Sequence, residues 1–103
     1  MSRNIKDKVT EQLFEAILML ESKEECYNFF QDIATIGEIK ALGQRLEVAR
    51  MLKQGFTYDH IVSETGVSTA TISRVKRSLE YGEDGYNLIL SRLEENENRS
   101  TNN

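Results

Sequence analysis

The side chains in this chain that could do chemistry fall into two groups. The first is reactive but badly spaced for catalysis. His60 is the sole histidine and Cys26 the sole cysteine, so the sequence offers neither a Cys/His metal cluster nor an intrachain disulfide. Glu24-Glu25 and Glu94-Glu95 are adjacent in sequence, and neighbouring positions on a helix do not face each other. These carboxylates read as solvated faces, not as an acid and a base sharing a substrate. His60 on a short helix reads as a surface or phosphate-neighbouring group, and Cys26, beside Tyr27 in an apolar stretch, as buried and inert. No glycine-rich phosphate loop or nucleophile elbow occurs. No enzyme, catalytic residue, metal or cofactor is expected.

The second group is basic and concentrated. Residues 40–77 hold Lys40, Arg45, Arg50, Lys53, Arg74, Lys76 and Arg77 against three acidic side chains, net +4. Residues 1–39 and 78–103 are each net -4, which returns the overall -4. A positive segment between acidic ends can face phosphates, while the ends repel the same polyanion and weaken non-specific binding.

Residues 57–79 give that segment a shape. Thr57 caps a short helix over 58–64, Gly66 supplies the turn where a positive φ is cheapest for glycine, and Ser68 caps a second helix over about 69–81. Ile61, Val67, Ile72, Val75 and Leu79 recur at inward positions. This is the layout of a helix-turn-helix. Two positions depart from the usual pattern: Val62 is bulky where the helices cross, and Thr65 stands where an apolar residue normally precedes the turn glycine. With its apolar row inward, the second helix exposes Thr69, Ala70, Ser73, Arg74 and Arg77, with Thr71 and Lys76 at the edges. A helix lying in the major groove presents its N-terminal residues to base edges. Thr69, Ala70 and Ser73 are small enough to touch a thymine methyl or hold a water, and none offers a bidentate fork for guanine. Arg74, Lys76 and Arg77 suit phosphates. Ser68, Thr71 and the free N–H groups of the helix start form a second phosphate site. The competing reading is an amphipathic helix with merely solvated cations.

The elements that must position these residues are all helical. Val9, Leu13, Ala16, Ile17 and Leu20 follow helical spacing over about 7–20, and Phe14, Leu18 and Met19 widen the face. Ser22-Lys23-Glu24-Glu25 and Thr35-Ile36-Gly37-Glu38 have the capping-box pattern. They open a second helix carrying Cys26, Tyr27, Phe29, Phe30 and Ile33, and a third running to about residue 54. Tyr27, Phe29 and Phe30 read as core or dimer anchors. On the third helix Ile39, Leu42, Leu46 and Ala49 share one face, flanked by Val48 and Leu52. Gly55 is its natural stop. Gly82 and Gly85 mark a loop before a sixth helix over about 86–95, with Tyr86, Ile89, Leu90 and Leu93 on one side. Nothing alternates with period two for long enough to form a sheet. Helices one and three are apolar over more than one buried stripe, which points to an obligate dimer with interlocked helices, a monomeric bundle being the alternative. Gly43 inside a helix costs about 1 kcal/mol against alanine, and close approach of a helix from a second subunit would explain it.

With 103 residues and a 39% apolar share, the chain fits one domain of the usual roughly 100–200 residues. The expected organisation is a flexible start at 1–6, one helical domain at 7–95 and a flexible polar tail at 96–103. No run approaches the roughly 18 apolar residues a membrane helix needs, and the first residues lack a secretory signal's apolar stretch. The expected compartment is the bacterial cytoplasm, with the nucleoid when bound to DNA.

Ala41-Leu42-Gly43-Gln44-Arg45, Gly55, and Gly66 followed by Ala70-Thr71-Ile72-Ser73-Arg74 resemble the Trp repressor family, over about residues 35–78 and at near-constant spacing. The chain looks closest to a shorter branch of Trp repressor-like proteins. The resemblance implies an all-α, six-helix, intertwined homodimer whose two helix-turn-helix heads enter successive major grooves of a palindromic operator in double-stranded DNA. It also implies a tryptophan site. The arginine stacking on the indole matches Arg45, and the arginine on the recognition helix that faces the ligand matches Arg74. Thr35 matches the threonine beside the pocket, and Ser78 the serine that holds the ammonium. The family's glycine after that second arginine is Val75 here. Its methyl groups would fill part of the pocket, so tryptophan is disfavoured, and either a smaller ligand fits or Val75 itself holds the head ready for DNA. The expected function is a dimeric, sequence-specific DNA-binding repressor. Its rivals are a switch sensing a small amino acid or anion, and a helix-turn-helix module that binds protein instead of DNA.

Overall fold

Five helices begin where a short side chain can accept a hydrogen bond from the backbone N–H three residues on. Asp7 accepts from Thr10 at 2.8 Å, Ser22 from Glu25 at 3.1 Å, Thr35 from Glu38 at 3.1 Å, Thr57 from His60 at 3.2 Å and Ser68 from Thr71 at 3.2 Å. Each satisfies a donor that the first helical turn leaves without an intrahelical partner. The resulting elements, in a computed structural model describing residues 6–101, are α1 (Lys8–Leu18), α2 (Lys23–Ile33), α3 (Ile36–Lys53), α4 (Tyr58–Thr65), α5 (Thr69–Tyr81) and α6 (Gly85–Thr101). No strand occurs among the described residues. The all-α expectation therefore holds, with six helices. The expectation of a flexible start falls, apart from Lys6, on residues outside those described.

The two capping boxes differ. At α3 the exchange is reciprocal, because the Glu38 carboxylate also accepts the Thr35 N–H at 2.8 Å. At α2 the Glu25 carboxylate accepts from Glu21 instead, at 2.9 Å. Some boundaries shift from those expected. The N–H groups of Met19 and Leu20 turn back to the carbonyls of Ala16 and Ile17, each at 3.1 Å, so α1 ends at Leu18 in a tightened last turn. The segment expected to be a polar tail from residue 96 is helical as far as Thr101. It contains no glycine or proline to stop α6, and extending an existing helix requires no new nucleus.

The chain divides into two compact units, 1–39 and 40–103. In the first, neither α1 nor α2 holds a buried residue. Phe29 and Phe30 meet edge to face with ring centroids 5.6 Å apart, and both are half-buried. Val9, Leu18 and Met19 are 80%, 84% and 75% exposed. Cys26, expected to be buried, is exposed, because nothing among the described residues covers its face of α2. Tyr27 is exposed with it.

The second unit contains the core: Val48, Ala49 and Met51 from α3, Ile61 from α4, and Ile72 and Val75 from α5. Leu52, Tyr58, Val62, Val67, Leu79, Tyr86 and Leu90 pack around it. Burying a side chain of this size contributes roughly 1.5–3 kcal/mol. The inner face of α3 is thus not the expected row of Ile39, Leu42, Leu46 and Ala49. Only Ala49 of that row is buried, and Leu42 is exposed. The helices that cover α3 meet it at its C-terminal end.

Glu38 reports electrostatically on the cap of α3. Its carboxyl is held below its ordinary value by hydrogen bonds from the Thr35 backbone and then the Thr35 side chain. A carboxylate with a lowered folded pKa stabilises the protein above its unfolded value, in the ordinary glutamate range, and that contribution fades as pH falls through the lower folded value. Thermal unfolding followed by circular dichroism from neutral to acid pH should show Tm falling in that window. The Glu38→Gln variant should start with a lower Tm at neutral pH and show a shallower acid decline.

Candidate nucleic-acid interface

The presented surface depends on how α4, the turn and α5 are locked. Gly66 adopts φ 75°, in the left-handed region that costs an L-residue roughly 1–2 kcal/mol and glycine almost nothing. Its N–H donates to the Val62 carbonyl at 2.8 Å. Thr65 closes the same turn. Its hydroxyl donates to the Ile61 carbonyl at 2.7 Å and accepts from the Val67 N–H at 3.2 Å. This explains the polar residue before the turn glycine: the hydroxyl replaces apolar burial with two hydrogen bonds. Beneath the turn, Ile61 and Ile72 are fully buried and Val75 is 2% exposed. α5 is therefore fixed along its apolar row to α4 and to the end of α3.

The far end of α5 is tied down as well. Gly82 donates to the Ser78 carbonyl at 2.9 Å, and a Cβ at Gly82 would collide with that same carbonyl. The Asn87 amide donates to the Leu79 carbonyl at 3.3 Å and to Asp84 Oδ1 at 3.2 Å. Its oxygen accepts from Lys53 Nζ at 2.8 Å. One side chain on α6 thus joins the ends of α5 and α3. The sequence pattern singled out Thr65 and Lys53 without their partners and gave no role to Asn87 or Asp84. The Asp84–Asn87 spacing of three was a readable local signal, but Lys53 and Asn87 are separated by 34 positions and gave none.

On this frame α5 exposes Thr69, Ala70, Ser73, Arg74 and Arg77, while Thr71 is half-buried. The row has the expected face. Ser68 and Thr71 lie together at the helix start, with hydroxyl oxygens 3.2 Å apart and the Thr71 N–H donating to Ser68. Lys76 is exposed, but its ammonium lies 5.9 Å from the centre of the Tyr58 ring, which draws it toward α4 by a cation–π contact.

The basic segment is also less uniformly available than its count suggests. Arg50 forks onto Glu47 at 2.7 and 2.6 Å and reaches Gln54 at 3.0 Å. The hydrogen bond holds the Glu47 carboxyl below its ordinary range and raises the Arg50 guanidinium. Arg74 and Arg77 carry no intramolecular ion pair among the described residues, so their donors remain open to a partner.

The positions expected to hold a ligand are dispersed in role. Thr35 caps α3. Arg45, Arg74 and Ser78 are exposed, and no hydrogen bond or ion pair joins the three among the described residues. Val75, beside Arg74, is in the core.

A family model for the Trp repressor protein matches residues 8–94. The chain belongs to the Trp repressor family. This family is regulatory and non-enzymatic, and it makes the chain a candidate DNA-binding regulator. The chain is 57% identical over 97 residues to the uncharacterized protein YerC of Bacillus subtilis (strain 168), covering 94% of this chain and 93% of that one. Its structure is similar to a Staphylococcus aureus protein solved as a candidate Trp repressor, with TM-score 0.86, 54% identity, and 90% and 96% of the two chains covered. It is also similar to a TrpR-like protein of Eubacterium eligens ATCC 27750, with TM-score 0.83, 56% identity and 85% and 91% coverage.

In this Trp repressor-family chain, Val75 is a structural member of the head. Val75→Gly removes buried methyl groups and places glycine inside a helix. It should cost roughly 2–4 kcal/mol in urea unfolding. A loss below 1 kcal/mol would show that Val75 does not brace the head.

Proposed function

We propose that this protein is a sequence-specific DNA-binding repressor that acts as an intertwined homodimer. Each helix-turn-helix head docks in the major groove of one half of a palindromic operator. The observation that carries this reading is the exposed row of α5, backed by a buried Ile61–Ile72–Val75 seam. Thr69, Ala70 and Ser73 face the bases. Arg74, Arg77 and Lys76 neutralise phosphates, and the start of α5 with Ser68 and Thr71 receives another. Such a regulator works in the cytoplasm, at the nucleoid.

The dimer is supported by what a single chain leaves uncovered. Leu18 of α1, Met19 after it, and Ile36 and Leu42 of α3 are exposed apolar side chains, and single chains rarely tolerate so much apolar surface. Gly43 has nothing within 4 Å of where a Cβ would stand, which leaves room for a helix of a second chain. The buried Val75 supports a head held ready by its own packing, without a corepressor. A ligand at Thr35, Arg45, Arg74 and Ser78 is the second reading, favoured by the two exposed guanidinium groups.

Selection from random duplex DNA at fixed moderate salt, with no added ligand, should recover a palindrome whose half-sites lie about one helical turn apart. Sedimentation should give twice the chain mass. Arg74→Ala should weaken binding to all sequences and lower the salt slope by about one, whereas Thr69→Ala should change the preferred sequence. If neither substitution alters binding, α5 is not the recognition helix. If a sequence is recovered only with a metabolite mixture present, the ligand-dependent reading replaces the constitutive one. If a stable dimer retains no duplex under either condition, the helix-turn-helix is a protein-interaction module.

A further inference from the structure

A cleft of about 350 Å³ opens between the end of α3, the Gly55 turn and the second half of α5. None of Thr35, Arg45, Arg74 or Ser78 borders it, so it is separate from the positions that the family resemblance assigns to a ligand. Leu52, Phe56 and Leu79 supply apolar lining and Tyr58 an aromatic wall. Phe56 is 41% exposed although it stacks on His60 with ring centroids 4.7 Å apart, so apolar ring surface remains uncovered at the opening.

The polar groups at this cleft are Lys53, Lys76 and Glu80, which leaves one net positive charge. The two lysines are held in place by separate contacts. Lys53 Nζ donates to Asn87 at 2.8 Å, and Asn87 is anchored in turn on Leu79 and Asp84. Lys76 lies against the Tyr58 ring. Each ammonium keeps further donors, since a lysine has three. Two positioned cations beside an apolar floor complement a ligand with one negative charge and an apolar body. The volume lies at the low end of the range for small-molecule sites, roughly 300–1,000 Å³.

We propose that this cleft binds a small carboxylate with an aromatic or branched apolar body. The carboxylate sits between Lys53 and Lys76, and the body covers Phe56 and Leu79. A ligand there would touch α3, the turn before α4, and α5 together, and would occupy Lys76, one of the proposed phosphate contacts. That regulatory consequence rests on the DNA-binding reading above, whereas the binding site does not.

The test uses the full chain, without DNA. Nitrogen-15 NMR spectra are titrated with sodium phenylacetate and, separately, with uncharged phenylacetamide. Saturable shifts should centre on residues 52–58 and 76–80. The acid should bind roughly 10-fold more tightly than the amide, as a charge-assisted hydrogen bond implies. In the Lys53→Gln, Lys76→Gln double variant that preference should disappear. Both side chains are exposed, and an unchanged unfolding curve would confirm that the variant is folded. Equal binding of acid and amide, shifts centred on Arg45 and Arg74, or no saturation up to roughly 10 mM would each overturn the proposal. The comparison of the two ligands on the unaltered chain decides the matter even if the variant is unstable.

Discussion

Six side chains hold the head together. Val48, Ala49 and Met51 of α3 meet Ile61 of α4 and Ile72 and Val75 of α5, and the orientation of every outward residue on α5 follows from that contact. A helix has one azimuth at which Ile72 and Val75 both point inward, because positions three apart lie on the same side. Once that azimuth is set, Ser73, Arg74 and Arg77 point outward together, and Thr69 is exposed in the first turn. The chemistry of the exposed face is therefore a consequence of the buried one. A shift in the packing of Val75 would turn the arginine beside it.

The supports at either end of α5 differ in kind. At its start the constraint is local: Gly66 takes a left-handed conformation, and the Thr65 hydroxyl satisfies two backbone groups across the turn. At its end the constraint is long-range. Asn87 ties Leu79, Asp84 and Lys53 into one set of hydrogen bonds. The cleft lies at this second support. It is the place where a small molecule could reach the head through Lys76, at the edge of the row that faces a partner.

The first unit has the opposite character. Its helices are well capped and strongly two-faced, yet α1 and α2 bury no residue completely. Amphipathic helices gain most of their stability from packing their apolar face, so the exposed side chains of α1 mark the surface that the proposed second chain would cover. The wide apolar arcs in the sequence had pointed to such a surface. The single chain leaves it open.

What the sequence determined by itself was largely local. The caps at Ser22, Thr35, Thr57 and Ser68, the turn at Gly66 and the inward row of Ile61, Ile72 and Val75 involve residues a few positions apart. Hydrogen bonds and helical periodicity of that range are written in neighbouring residue types. The outward face of α5 was legible for the same reason. Tertiary structure decided the rest. It buried Val48 and Met51 while leaving Leu42 exposed, left Cys26 uncovered, drew Lys76 onto Tyr58, and brought Lys53 to Asn87 across 34 positions. These outcomes depend on which element arrives to cover a face. An apolar side chain carries the same tendency to be buried wherever it stands, and only its neighbours in space determine whether that tendency is met.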